Sequence, residues 1–405
     1  MAKHVTYSQI GTGKGFYSIL ALFGVFIAAG AAAFLHVEHH GHVATGMTNQ
    51  IVWGMPHVFA IFLIVAASGA LNVASIGSVF NKSAYKPLSR MSGVLAMALL
   101  AGGLVVLLLD LGRPDRMITA ITHYNFKSIF AWNIILYSGF MAIVGAYLFV
   151  QMSLGMEKYK KPFGILAFVW RLALTTGTGS IFGWLVARQG YDAAIMAPLF
   201  IAMSLSFGTA CFILVVKYTG KATDRPLGTA MTWRLGRLMG VMAAAVLYFT
   251  TVRHLGNLYA AEHAGVEQFI LFGGNIFTTL FWGGQVLIGG LVPLALVFAP
   301  NKVEGSSRVT LAALLVILGG FAQLYVIIVG GQAYPLVLFP GMEVSSSFAD
   351  GVVGSYTPSL PEIALGLGGV AVAMVITVMA MMAFKLLPKN LSDAALDPHL
   401  VAKAK

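Results

Sequence analysis

Long apolar segments recur along almost the whole chain and are separated by short polar connections. Each segment has roughly 20 residues or more, the length that an α-helix needs to cross the hydrocarbon core of a bilayer. The pattern therefore predicts an all-α integral membrane protein without a sizeable soluble domain. The ten predicted spans are residues 16–36, 51–80, 88–111, 126–154, 162–186, 193–217, 232–260, 266–298, 308–331 and 360–386.

Four of these spans resemble the next four when the chain is shifted by 141 to 144 residues. The matching landmarks are Met55–Phe59 with Met196–Phe200, Asp110–Gly112 with His254–Gly256, and Asn133–Ile134 with Asn275–Ile276. Four helices return the chain to the same side, so the repeat is parallel. We expect two four-helix bundles, helices 2–5 and 6–9, with one flanking helix at each end. The predicted divisions are 1–50, 51–190, 191–331 and 332–405.

Composition agrees with a protein solvated mainly by lipid. Of the 405 residues, 58% are hydrophobic and 10% are charged, whereas soluble proteins have about 25% charged residues. The single cysteine, Cys211, excludes an internal disulfide, a CxxC redox pair and a thiolate-held iron–sulfur cluster within this chain.

The net charge of +11 comes mainly from basic residues in the connections. Most of the 25 Lys and Arg fall on the side of the membrane that holds the two termini. By the positive-inside rule, both termini are expected to be cytoplasmic. The positive net charge is therefore explained by the orientation of the protein in the membrane, and it does not indicate binding to nucleic acid.

Candidate chemistry collects at the outer ends of the predicted spans. Ionisable groups within hydrocarbon are costly, so the few that occur there are functional candidates. His57 lies about two turns into the second span, and Asp110 closes the third. The connections then hold Arg113, Tyr124, Asn125 and Tyr191.

The most specific string is Leu109–Arg116, LDLGRPDR. Gly112 can end the helix in a left-handed turn and Pro114 prevents its continuation, which leaves Asp110 and Arg113 close enough to pair. Such a carboxylate can accept a proton while the arginine holds a polar head group. The alternative is a structural salt bridge that caps two helices.

His57 has three interpretations. Its imidazole can hydrogen-bond a quinone carbonyl and exchange a proton near neutral pH. It can instead be a core histidine that bonds a neighbouring carbonyl. A b-type haem held by His57 and His254 would require both rings to face one cavity.

Arg171 stands alone within the fifth span and is followed by Thr175 and Thr178. An intramembrane arginine normally faces a bundle interior or a wet cavity, so these residues suggest a polar proton path from the inner side. The alternative to a proton path is that Arg171 only donates hydrogen bonds to backbone carbonyl oxygens of neighbouring helices.

Two outer connections are notable for their composition. The first carries His36, Glu38, His39, His40 and His42, a metal-ligand set that is better explained by an exposed or partner-facing loop. The second, Gln332–Ser359, lacks Lys and Arg, and it is either a docking surface for a partner or a lid over the helix ends.

With the strings Trp53–Gly69 and His123–Asn133 around the LGRP motif, the chain resembles the NrfD/polysulfide reductase membrane-subunit family. The resemblance covers spans two to nine. The ten-span form, with Glu38–His42 and Asn49–Phe80, looks most like the DsrP-type branch of that family, whose members serve the DsrMKJOP complex of dissimilatory sulfur metabolism.

The resemblance implies a site for menaquinone or ubiquinone near the outer face of the bacterial cytoplasmic (inner) membrane. It implies an extracytoplasmic iron–sulfur partner, DsrO-like, and other membrane and haem subunits, with no haem or cluster in this chain. His57, Asp110 and Arg113 match the family's residues. Tyr124 and Tyr191 are candidates for its quinone-directed hydroxyl, and Asn125 adjoins the first. His254 and Asn257 replace the acid and arginine in the second repeat, so no second site of this kind is expected.

The predicted function is electron transfer between the quinone pool and the iron–sulfur partner, with proton exchange at the outer side. The chain would be active only within its complex, and Asp110 and His57 would be the residues that handle protons. A secondary transporter and a purely structural anchor are the alternatives.

Overall fold

The structure is a computed structural model that describes residues 5–299, 307–336 and 351–397. Within these ranges, ten helices are long and apolar enough to cross a membrane. This confirms the all-α membrane class and the predicted number of spans. We number them in chain order: α1 (Lys14–His40), α2 (Met55–Ser78), α3 (Ser83–Leu109), α4 (Ile129–Met152), α5 (Glu157–Gly183), α6 (Met196–Ala222), α7 (Thr229–Tyr259), α8 (Ile276–Phe298), α9 (Ser307–Ala333) and α10 (Leu360–Ala383).

The two ends of the chain lie on the same side of the helices. Strand β1 (Tyr7–Ser8) pairs antiparallel with β2 (Leu387–Pro388), which requires an even number of crossings between them. We call this side the termini face, and the opposite side the far face. The assignment of the termini face to the cytoplasm stays a prediction.

Helix α2 lies at the centre of the molecule. It is apolar around its whole circumference, as expected for a helix buried on all sides, and 94% of its most hydrophobic window is buried. It packs against α3, α6, α9 and α10. Small residues permit the closest of these contacts, because a Cβ on Gly69 would lie 1.5 Å from the Ser204 carbonyl oxygen and one on Gly208 would lie 2.1 Å from the Ala70 nitrogen.

Helix α1 is the most exposed span. Only 11% of its apolar window is buried, and its main neighbour is α10, which also packs on α3. Gly30 and Gly368 meet where α1 crosses α10. The predicted repeat, its flanking helices and the domain divisions stay predictions.

The predicted span 266–298 is too long at its beginning. Gly274 has a φ of +64°, and the Asn275 side chain accepts a hydrogen bond from the Thr278 backbone nitrogen, which starts a new helix at Ile276. Residues Ala264–Phe272 form a separate short helical segment before the break. Half of the long connection Gln332–Ser359, residues 337–350, lies outside the described residues.

Candidate functional site

A cavity of about 430 Å³ lies near the far face, among α2, α3, α4 and α5. Its wall is mostly apolar, and the polar groups in it belong to His57, Asn133, Tyr137 and Ser138. An apolar pocket with a few polar groups is typical of small-molecule sites. The remaining lining residues are Trp53, Ile61, Leu104, Leu107, Leu108, Leu111, Met117, Ile121, Phe130, Ile134, Ile181, Phe182 and Ile328.

The rim of this cavity lies on the lipid-exposed surface. Leu108, Ile121 and Phe130 line the cavity, and 38%, 50% and 45% of their respective surfaces are exposed. Leu108 lies at the end of α3, Phe130 begins α4, and Ile121 belongs to the short helix Met117–Thr122 between them. A ligand soluble in the bilayer could therefore reach the cavity between α3 and α4 without crossing water.

His57 is held against Asp110 at the far end of the cavity. The Nδ1 atom of His57 lies 2.8 Å from Oδ2 of Asp110. Only 17% of the His57 side chain and 4% of the Asp110 side chain are exposed. The separation of Nδ1 and Oδ2 is an ion-pair distance, but neither atom meets hydrogen-bond geometry with any described residue. Because Nδ1 is the ring nitrogen beside the carboxylate, Nε2 is the one that remains for a ligand in the cavity.

Local sequence explains both positions. Gly54 precedes α2 and Pro56 lies in its first turn, a favoured place for proline, so His57 lies at the start of the helix. Asp110 follows the last residue of α3, and Gly112 turns the chain with a φ of +70°.

The predicted pairing of Asp110 with Arg113 is wrong. Arg113 donates from Nε and Nη2 to the two carboxylate oxygens of Asp115, at 3.0 Å each, and both side chains are more than half exposed. The turn at Gly112 directs the chain away from Asp110 before Arg113 is reached. The hydrogen bond from Arg113 lowers the pKa of Asp115, so this surface pair is ionised at neutral pH.

The histidine-rich segment lies mostly in the last turns of α1, which ends at His40, and only His42 belongs to the connection that follows. His42 donates from Nε2 to the Asp110 carbonyl oxygen at 3.2 Å. A Cβ on Gly112 would lie 2.8 Å from the His42 ring, so glycine is needed there for space as well as for its backbone conformation. His36 and His40 instead stack on each other, and the described residues contain no group of three or more His, Cys, Asp or Glu placed to hold a metal ion.

Tyr124 and Asn125 lie in the connection between α3 and α4, outside the cavity lining. The Tyr124 hydroxyl donates to the Ala131 carbonyl oxygen at 2.5 Å, and Asn125 accepts from the Lys127 backbone nitrogen. Both side chains therefore stabilise this connection.

Tyr191 is fully buried behind the cavity wall. Its hydroxyl donates to the Ile328 carbonyl oxygen at 2.6 Å, and its ring stacks on Trp53 with centroids 6.1 Å apart. Burial raises the pKa of Tyr191, which keeps the phenol protonated. Trp53 also stacks on His57 at 6.0 Å, so Trp53 separates Tyr191 from the cavity.

Gln332, at the end of α9, holds Trp53 in place, and sequence reasoning missed it. Its Oε1 accepts from the backbone nitrogens of Val52 and Trp53 at 3.0 and 3.1 Å. Its Nε2 donates to the Trp53 and Ile328 carbonyl oxygens. Its only sequence signal is a glutamine at the end of an apolar span.

A series of polar groups leads from the cavity into the first half of the protein. The Tyr137 hydroxyl, which lines the cavity, lies 3.2 Å from Thr178 Oγ1. One helical turn further along α5, Thr175 Oγ1 lies 2.6 Å from Ser68 Oγ. The gap between the two threonines is not closed by a direct hydrogen bond in the contacts of the described residues.

Arg171 continues this series. It donates to the Ser68 carbonyl oxygen at 3.3 Å and to Asn72 Oδ1 at 3.2 Å. Its side chain is buried, and among the described residues its Nε has no hydrogen-bond partner. Arg171, Thr175 and Thr178 lie one helical turn apart on α5, and a carbonyl oxygen and an amide oxygen partner the arginine. The proton path through them stays a prediction.

A second buried ionisable cluster lies at the end of α7. His254 Nδ1 is 2.5 Å from Glu267 Oε2, and Asn257 donates to Glu267 Oε1 at 2.8 Å. Arg253 donates to the Gly190 carbonyl oxygen, next to Tyr191. Burial raises the pKa of Glu267, but the hydrogen bonds from His254 and Asn257 with the nearby charges lower it overall.

The two deep histidines do not face one space. His57 lines the cavity beside Asp110, whereas His254 is outside the lining and contacts Glu267. A haem held between these two rings therefore has no geometric support. Sequence reasoning did not single out Glu267, which is the second residue of the overlong predicted span 266–298.

The model of the family "Polysulphide reductase, NrfD" matches residues 43–335 of the chain. This range begins in the connection after α1 and ends just after α9, so it includes the whole cavity and its wall.

Curated relatives match along most of their own length. The protein is 26% identical to the Hdr-like menaquinol oxidoreductase integral membrane subunit of Archaeoglobus fulgidus, over 94% of this chain and 96% of the relative. It is 26% identical to a polysulfide reductase chain of Wolinella succinogenes, over 71% and 96%. It is 22% identical to the menaquinone reductase integral membrane subunit of Nitratidesulfovibrio vulgaris, over 80% and 83%.

Proposed function

Because the chain belongs to the polysulphide reductase NrfD family, we propose that it is a quinone-interacting membrane subunit of a respiratory complex. The observation that carries the proposal is the apolar cavity, which meets the lipid-exposed surface and ends at the His57–Asp110 pair. The names of two relatives, a menaquinol oxidoreductase subunit and a menaquinone reductase subunit, support menaquinone as the quinone, with ubiquinone as the alternative.

The residues fit a quinone ring. When bound, a quinone supplies two-electron, two-proton chemistry. Trp53, Phe130 and Phe182 offer aromatic and apolar surface to a planar ring. Nε2 of His57 accepts a proton from a quinol hydroxyl or donates one to a quinone oxygen. The Asp110 carboxylate lies beside Nδ1, so Nε2 is the nitrogen that is available to the quinone.

Other predicted residues act around this centre. We propose that Tyr191 acts through Trp53, which it packs against. Arg113, Tyr124 and Asn125 lie on the connection that carries the rim residue Ile121. We propose that they help to hold the quinone ring, or to guide its entry, from this side of the cavity.

The far face is proposed to be extracytoplasmic, in a bacterial cytoplasmic membrane. The basic residues support this orientation because they favour the termini face. Electrons then pass between the quinone and an iron–sulfur partner docked at the far face. We propose a DsrP-type role in a sulfur-metabolism complex with a DsrO-like partner, and the likeness to a polysulfide reductase subunit is in keeping with this role.

We also propose that protons reach or leave the cavity through the first half of the protein. Arg171, Thr175 and Thr178 form the inner part of that path, and Tyr137 connects it to the cavity. The support is two separate contacts between hydroxyl groups, Tyr137 with Thr178 and Thr175 with Ser68, and the buried arginine beside the second.

The proposal is tested by quinone binding to the purified complex. Bound quinone is extracted and measured, and the complex is then titrated with a soluble menaquinone analogue. A Leu108→Trp variant fills the rim of the cavity and should weaken binding about tenfold, the cost of a poorly accommodated side chain in a filled site. Leu255→Trp, on a lipid-exposed part of α7, is the matched control.

The outcomes separate the candidate functions. Loss of binding in Leu108→Trp but not in Leu255→Trp supports the site. A complex without bound or exchangeable quinone would favour the transporter or anchor alternatives, and equal binding by both variants would show that quinone binds elsewhere.

A further inference from the structure

A second large cavity, of about 490 Å³, lies at the termini face, on the other side of the membrane from the His57 cavity. It is formed where α2 ends, α3 begins, α4 ends and α5 begins, and the N-terminal segment closes one wall. The lining residues are Val5, Tyr7, Ser78, Asn81, Lys86, Ser89, Arg90, Gln151, Met152, Ser153, Leu154, Glu157, Lys160 and Lys161.

The chemistry of this cavity differs from that of the first. Four of its side chains are cationic, Lys86, Arg90, Lys160 and Lys161, and one is anionic, Glu157. Glu157 contacts Lys160 at 2.5 Å, so the lining keeps an excess of three positive charges. The Lys160 ammonium has three N–H donors and can still contact a further acceptor. Serine, asparagine and glutamine side chains add neutral hydrogen-bonding groups. This arrangement favours an anion with several acceptor oxygens.

Arg90 is fixed in position by the two ends of the chain. It donates to the carbonyl oxygens of Lys385 and Gln151, each at 3.1 Å. Its guanidinium carbon lies 3.9 Å from the centre of the Tyr7 ring, and Tyr7 belongs to β1, which pairs with β2. One cation of the cavity is therefore held rigidly by three separate chain segments.

The cavity lies at the level of lipid head groups. The four helix ends that form it mark the boundary of the hydrocarbon region at the termini face. Leu154, which lines the cavity, is fully exposed, and 56% of nearby Phe80 is exposed. Apolar side chains at the rim suit an occupant that carries acyl chains as well as charge.

We propose that this cavity binds the phosphate-bearing head group of an anionic phospholipid, such as a phosphatidylglycerol. Lys86, Lys160 and Lys161 contact the phosphate oxygens, and Arg90 contributes a fixed positive charge. Basic pockets between membrane helices are known to bind such head groups. Free inorganic phosphate has the same oxygen chemistry, but it does not use the apolar rim.

The test uses the purified full chain in a neutral detergent. Native mass spectrometry measures binding of phosphatidylglycerol, phosphatidylcholine and inorganic phosphate. The cavity variant combines Lys86→Gln, Lys160→Gln and Lys161→Gln. The control combines Lys82→Gln, Lys158→Gln and Lys221→Gln, three exposed lysines of the termini face outside the lining.

The wild type and the control should prefer phosphatidylglycerol to phosphatidylcholine, and the cavity variant should bind phosphatidylglycerol about tenfold more weakly. The proposal is overturned if the control loses as much affinity, if the wild type has no preference, or if inorganic phosphate competes as strongly as the lipid. Lys161→Gln alone changes one exposed side chain and should leave the fold intact. If this single variant also binds phosphatidylglycerol more weakly than the wild type, misfolding does not explain the loss of affinity in the triple variant.

Discussion

His57 Nδ1 and Asp110 Oδ2 lie 2.8 Å apart, although the two residues belong to different helix ends and are separated by most of α2 and all of α3. The pair lies between an apolar cavity and the far face. This arrangement leaves one imidazole nitrogen for the cavity and places the carboxylate out of solvent. It is the feature from which the proposed proton exchange follows.

The first prediction concerns this pair. Asp110→Asn keeps the size of the side chain but removes the negative charge that lies 2.8 Å from His57 Nδ1. We expect quinone-linked electron transfer by the complex to slow about 10–100-fold, as for other partners that orient a functional histidine. The rate is measured with a quinol analogue, together with the amount of assembled complex.

Asp115→Asn is the matched control, because Asp115 is exposed and pairs only with Arg113 among the described residues. It should leave the rate nearly unchanged. If Asp110→Asn prevents assembly instead of slowing transfer, Asp110 has the structural role that was the alternative interpretation of this residue.

The second prediction concerns the support of Trp53 by Gln332. Gln332→Met preserves length but leaves the backbone nitrogens of Val52 and Trp53 without their acceptor. Each buried group left unpaired costs about 1–3 kcal/mol, so the cavity wall should loosen. We expect a higher KM for the quinol with a smaller change in kcat. A fall in kcat at constant KM would argue against a positioning role.

The third prediction concerns the pH dependence of stability. The folded-state pKa of Glu267 is lowered from its ordinary value of 4.5, so its contribution is present above that value and is lost as pH falls through the lower folded pKa. The wild type should therefore exceed Glu267→Gln in thermal unfolding temperature at pH 7, and the difference should shrink below pH 4.5. A difference that does not vary with pH would contradict this assignment.

The fourth prediction concerns the crossing of α2 and α6. Gly208→Ala places a Cβ 2.1 Å from the Ala70 backbone nitrogen, and the helices must separate to accept it. Overpacking of this kind costs about 3 kcal/mol, which we expect as a clear fall in the unfolding temperature. Gly256→Ala, whose Cβ meets no atom within 4 Å, should have little effect; equal loss in both variants would exclude the crossing as the cause.

Most of the fold was predictable because lipid imposes a simple requirement on the sequence. Each crossing helix needs a long apolar segment, and ten such segments were visible. The break at Gly274 and Asn275 was missed because the residues on both sides are apolar enough to continue the span. Hydropathy indicates which segments lipid can solvate, but it does not indicate where the backbone hydrogen bonds of a helix are interrupted.

The candidate site was predictable in part. Asp110 and His57 were recognisable as ionisable residues near helix ends, and the structure places them together. Arg113 was predicted to pair with Asp110 because the two residues are close in sequence. The turn at Gly112 instead places the Arg113 side chain against Asp115. Gln332 was visible only as a glutamine at the end of an apolar span, and its partners could not be predicted because they lie 279 and 280 residues away in the sequence.

The sequence by itself determined the number of crossings, the class of fold and the polar residues that a bilayer would tolerate only at special places. The tertiary structure alone decided which of these residues meet. Partners across helices depend on how each helix is rotated and how closely two backbones approach, as at Gly69 and Gly208. Those distances arise from packing between segments far apart in the chain, and hydropathy along one segment carries no information about them.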